Sequence, residues 1–100
     1  MVRDAGERDD RTDADRLYQA VSLVSCTSEA RDFLQDLLSP KEVEELARRL
    51  RVATMLREGS SYLEVSRETG ASSTTVSRVS KCLNGGAGGY RSILARMDGE

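Results

Sequence analysis

From Leu17 almost to Met97 apolar residues recur at helical spacing, and nowhere with the alternation of a half-buried strand. Leu17, Ala20, Val21 and Val24 follow one helix face, which opens at about Asp15. Ser25-Cys26-Thr27 interrupts it, and Thr27 is expected to cap a second helix with Glu29 in its first turn. That helix carries Ala30, Phe33, Leu34, Leu37 and Leu38 on one stripe. A third start is marked by Ser39-Pro40-Lys41-Glu42, where Ser39 and Glu42 form a capping box around a proline at the first helical position. Val43, Leu46, Ala47, Leu50 and Ala53 make its main face, and Val52, Met55 and Leu56 widen it. So broad an arc needs neighbours on two sides, the second being a subunit partner. Gly59 closes the helix as a left-handed cap.

Two shorter helices follow. Ser60 or Ser61 opens one that stops at Gly70, and Ser72 caps another that ends at Asn84-Gly85. The run Gly85-Gly86-Ala87-Gly88-Gly89 is a hinge or tight turn before a last helix over about 89–97, with Ile93, Leu94 and Met97 to pack. The chain is therefore expected to be all-α, with about six helices. Residues 1–13, charged and free of aromatics, are expected to be a disordered arm, and residues 14–98 the folded domain.

Charge changes this picture through its distribution. The formal net charge is −2. The first fifteen residues hold most of that excess acid, whereas residues 71–97 contain Arg78, Lys81, Arg91 and Arg96 and no carboxylate. Basic residues thus gather towards the C-terminal third, over the second short helix and the last one. On charge alone such a stretch reads as a solvated face, and the motif inside it makes it the footprint of a nucleic-acid binder. A core drawn from only 100 residues is marginal, so oligomerisation is expected to help hold it. With no His and two widely separated cysteines, Cys26 and Cys82, neither a metal site nor a disulfide framework is expected. No cofactor is expected either. No apolar run is long enough for a membrane span and no leader is evident, which points to the cytoplasm. Enzymatic chemistry finds no base, nucleophile or phosphate-cradling loop; the glycine run follows a helix rather than a strand.

The segment 62–83 meets the requirements of a helix-turn-helix. Gly70 suits the turn, Ser66 is small where the second helix crosses, and Val65, Val76 and Val79 supply the inner apolar contacts. The outer face of the second helix, over about 72–83, offers Ser72, Ser73, Thr74, Thr75, Ser77, Arg78 and Lys81. Short hydroxyl side chains let a helix approach the floor of the major groove, with its N-terminal end nearest the base edges. Four consecutive Ser/Thr residues are poor interior helix formers, so helix propensity does not account for them. Ser73, Thr74 and Ser77 are expected to meet base edges, and Thr75, Arg78 and Lys81 to meet phosphates or orient the helix.

Three motifs together resemble one family: Leu-Leu-Ser-Pro-Lys-Glu (37–42), Arg-Arg-Leu-Arg-Val-Ala-Thr-Met-Leu-Arg-Glu-Gly (48–59) and Thr-Gly-Ala-Ser (69–72). The chain is similar over about residues 15–97 to the tryptophan repressor superfamily, and within it to the YerC/YecD-type branch. The resemblance implies an intertwined all-helical homodimer that binds double-stranded DNA and regulates transcription, with repression the expected sense. Dimeric readers of this kind address half-sites about 34 Å apart, so a pseudo-palindromic operator is expected. In the repressor the corepressor ring lies between two arginines, and the matching residues here are Arg49 and Arg78. Where the repressor has glycine and serine, this chain has Val79 and Cys82. The valine adds bulk and the thiol is a weaker partner for an ammonium group, so L-tryptophan is not expected as a ligand. Two other functions fit the same residues: a helical protein-interaction module that keeps the fold without reading DNA, and a repressor gated by another small amino-acid-like effector.

Overall fold

Backbone N–H groups left free at a helix start need acceptors, and hydroxyl side chains supply most of them here. The computed structural model describes residues 12–99, and all regular structure among them is helical. The helices are α1 (Asp13–Ser22), α2 (Thr27–Leu37), α3 (Pro40–Arg57), α4 (Tyr62–Thr69), α5 (Ser73–Gly85) and α6 (Gly89–Met97). The described residues fall into two compact units, divided between Leu38 and Ser39. Of the charged arm expected over residues 1–13, residues 1–11 lie outside the described residues.

In the N-terminal unit α1 starts earlier than the apolar pattern indicates. Thr12 is its N-cap: the Asp15 N–H donates to Thr12 Oγ1 (3.0 Å) and the Asp15 carboxylate accepts from the Thr12 N–H (3.3 Å). Thr12 and Asp13 therefore belong to the helix and its cap rather than to an arm. The cap expected at Thr27 is also corrected. The Ala30 N–H already donates to Cys26 O (3.0 Å), so Thr27 is the first helical residue and Cys26 the cap position, without a capping side chain. Glu29 compensates by accepting from the Ser25 N–H (2.8 Å) and hydroxyl (3.2 Å). Neither α1 nor α2 contains a buried residue.

The C-terminal unit contains the core. Ser39 and Glu42 cap α3 reciprocally (3.2 and 2.8 Å), with Pro40 at the first position. At its other end the Gly59 N–H donates to Leu56 O and the Ser60 N–H to Met55 O, with Gly59 at φ +99°. This paired closure ends the helix as the sequence indicates. Ser61, not Ser60, opens α4, again through a reciprocal box, with Glu64. The C-terminal half of α3 packs against α4, α5 and α6. Val52, Ala53, Val65, Ala71, Val76, Val79 and Leu94 form the core, flanked by Met55, Leu56 and Tyr90. Val52, Val65 and Val76 are wholly buried, each worth roughly 1.5–3 kcal/mol relative to exposure. A link of three residues, 86–88, joins α5 to α6. A β-carbon on Gly86 would come within 2.6 Å of Cys82 O, so the chain can leave α5 this tightly only through glycine. Arg91 then donates to Leu83 O (2.6 Å), and Arg57 pairs with Asp98, tying both ends of α6 to the core.

Candidate nucleic-acid interface

The turn between α4 and α5 is fixed by side chains near it in sequence. Gly70 takes φ +75° and ψ 5°, and its N–H donates to Ser66 O (2.9 Å). The Thr69 hydroxyl donates to Val65 O (2.7 Å) and accepts from the Ala71 N–H (3.1 Å). Ser66 Oγ donates to Ala71 O (2.8 Å), which places a small, half-buried polar side chain where a larger one would hold the helices apart. Val65, Val76 and Val79 close the interior angle. Every helix-turn-helix requirement read from the sequence has its counterpart in this geometry.

Along α5 the sequence-derived candidates divide. Ser72 is the N-cap: its Oγ accepts from the Thr75 N–H (3.1 Å) and bonds the Thr75 hydroxyl (3.2 Å), so these two residues shape the helix start. Ser73, Thr74, Ser77, Arg78 and Lys81 come together, with Tyr62 of α4, around an open concavity of about 650 Å³. No carboxylate lines it. The α3 arginines are placed differently: Arg48 and Arg49 pair with Glu45, and Arg51 with Glu68. Among the described residues neither Arg78 nor Lys81 is in an ion pair. Their charge is therefore available to an external anion.

The four candidates for an effector pocket have diverse surroundings. Val79 is a core residue, 2% exposed, whereas Arg78 and Cys82 are exposed. Arg49 lies on α3 with Nε 3.7 Å from Glu45 Oε2, and this Nε is buried without a hydrogen-bond partner among the described residues. Among those residues no three His, Cys, Asp or Glu side chains are grouped to hold a metal ion. Tyr62 is absent from the sequence-derived candidates. Its hydroxyl donates to Ser80 Oγ, eighteen residues away, and Asn84 Nδ2 donates to Ser80 O (2.9 Å) and Oγ (3.3 Å). Only an aromatic placed directly after a helix cap hints at this role in the sequence.

Comparison with known proteins identifies the architecture. Residues 12–98 match the family model described as Trp repressor protein. The uncharacterized protein YerC of Bacillus subtilis (strain 168) is 42% identical over 83 residues, covering 83% of this chain and 80% of YerC. A TrpR-like protein from Eubacterium eligens superposes with a TM-score of 0.78 at 39% identity, covering 88% of this chain and 92% of that one. A candidate Trp repressor from Staphylococcus aureus gives 0.79 at 36% identity, covering 93% and 94%. With six helices over its described residues, a helix-turn-helix at 62–85 and these relatives, the chain has the all-α Trp repressor-like fold and belongs to the Trp repressor family, in its YerC-type branch.

Proposed function

We propose that this protein is a transcriptional regulator that binds double-stranded DNA sequence-specifically as a homodimer, with α5 in the major groove, and that it acts as a repressor. One observation carries the proposal: an exposed face of hydroxyls and two unpaired cations, free of carboxylate, on the second helix of a rigidly closed helix-turn-helix. The likeness to a candidate Trp repressor supports it. Ser73, Thr74 and Ser77 meet base edges, directly or through water, while Thr75, Arg78 and Lys81 hold phosphates and set the angle of the helix. Ser72 acts through the cap. The homodimer is supported by apolar side chains left open within each unit: Leu17, Val21 and Leu37 in the N-terminal one, Leu46 and Leu50 in the C-terminal one. No helix among the described residues is long and apolar enough to cross a membrane, consistent with action on cytoplasmic DNA. L-tryptophan is not the effector, because Val79 is bulky and Cys82 hydrogen-bonds weakly at the positions in question.

Selection of duplexes from a random pool, followed by salt titration on the selected site, tests the proposal. Affinity should fall linearly in log salt, and Lys81→Ala should weaken all sequences alike while reducing the slope by about one. Ser73→Ala should instead change which sequence is preferred. The net charge of −2 favours the competing protein-interaction module; absence of any DNA complex at low salt would overturn our reading in its favour.

A further inference from the structure

One wall of the concavity beside α5 comes from α4. Tyr62 is the first residue of α4, and 52% of it is exposed. Its hydroxyl is held by Ser80, which is buried to 7% exposure and which Asn84 holds in turn. The phenol is therefore fixed at its far end while much of its surface stays open. An aromatic ring tethered in this way has little rotamer freedom left to lose on binding.

Around the ring stand the hydroxyls of Ser73, Thr74 and Ser77 and the cations of Arg78 and Lys81, with no carboxylate among them. An apolar wall beside two cations suits a chain in which apolar and anionic groups alternate. A DNA strand does this, each deoxyribose lying between two phosphates. An acidic peptide offers charge without a regularly placed apolar ring to meet Tyr62.

We propose that Tyr62, Arg78 and Lys81 in this concavity seat one stretch of DNA sugar-phosphate backbone, the Tyr62 ring packed on a deoxyribose and the two cations on the flanking phosphates, while the hydroxyls of Ser73, Thr74 and Ser77 remain for base edges. Tyr62 is then a binding residue contributed by the first helix of the motif, and Ser80 and Asn84 are positioning residues that hold it. The inference rests on the DNA-binding function proposed above.

The test uses the full chain on its selected duplex. Tyr62→Ala should lower affinity roughly tenfold, the loss expected of a well-packed aromatic anchor. That loss should be equal across sequences and leave the salt slope unchanged, because the ring carries no charge. Tyr62→Phe and Ser80→Ala, which keep the ring, should lose no more than about a third of that effect in logarithmic terms. Nitration of the unaltered protein by tetranitromethane gives a second readout that needs no variant to fold. Saturating duplex should protect Tyr62 and leave the reactivity of the exposed Tyr18 unchanged. Equal nitration of Tyr62 with and without bound duplex would overturn the seat. Equal losses for all three variants would also overturn it, since the ring would then only prop α4 against α5. If the unaltered chain forms no complex, the DNA function itself falls, and the seat with it.

Discussion

Gly70 holds φ at +75°, and a β-carbon there would meet nothing within 4 Å. Conformation rather than space therefore requires glycine. Gly70→Val should cost about 1–3 kcal/mol in chemical denaturation, and Gly70→Asn clearly less, because asparagine tolerates the left-handed region. Equal stability of both variants would show that the turn does not need this conformation. The position is legible in sequence because it depends only on its immediate neighbours: a short helix before it, a capping serine two residues after. Val79 is a different case. Its type and its spacing from Val76 indicate an inward side chain, and the structure buries it. Whether the same residue also shapes a ligand site depends on contacts far apart in sequence, whereas the attraction of Arg49 to Glu45 is a local one, four residues apart on α3. With Val79 in the core, calorimetric titration with L-tryptophan should give no saturable heat, and a stoichiometric micromolar complex would reverse that expectation.

Helix starts show most clearly how far local chemistry carries. Ser39 with Glu42 and Ser61 with Glu64 are both reciprocal boxes, legible because the partners are three residues apart. Thr12 with Asp15 is the same device and escapes notice because the surrounding charge reads as a solvated arm. Thr27 misleads by one position, since the first helical turn already closes on Cys26. The link from Tyr62 to Ser80 has no local signature, because it exists only once α4 and α5 cross. The α4 box also makes a pH prediction. The Glu64 carboxyl is held below its ordinary value of 4.5, first by the Ser61 N–H, then by the Ser61 hydroxyl and the charge of Arg67. A depressed folded-state value means that its contribution is fully present above 4.5 and is lost as pH falls through the lower folded value. Glu64→Gln keeps an acceptor but cannot titrate, so its urea midpoint should fall less steeply than that of the unaltered protein in this acid range. Parallel acid limbs for the two proteins would show that the box contributes nothing through its charge.

Stability of the whole molecule is a question of what covers its apolar faces. The C-terminal unit buries Val52 and Ala53 from the inner half of α3, yet Leu46 and Leu50 on the preceding turns stay more than a third exposed. In the N-terminal unit two amphipathic helices bury no residue completely. The breadth of the apolar arc on α3 signals this in the sequence, but periodicity states only that a face needs a neighbour, not which surface supplies it. A second copy satisfies the requirement economically, because a symmetric pairing covers the same face on both chains. It would also set two α5 helices at a fixed spacing, so that dimerisation and operator recognition depend on the same surfaces. Sedimentation equilibrium should therefore give twice the chain mass, and the melting temperature should rise with protein concentration. Leu46→Glu places a charge on a face that the dimer would bury. It should shift the protein towards monomer and remove the concentration dependence of melting. Its DNA affinity should fall much further on a two-half-site duplex than on a single half-site, since only the former draws on both recognition helices at once. A monomeric mass for the unaltered chain, with a melting temperature independent of concentration, would mean that the exposed leucines serve another partner and that each α5 reads DNA alone.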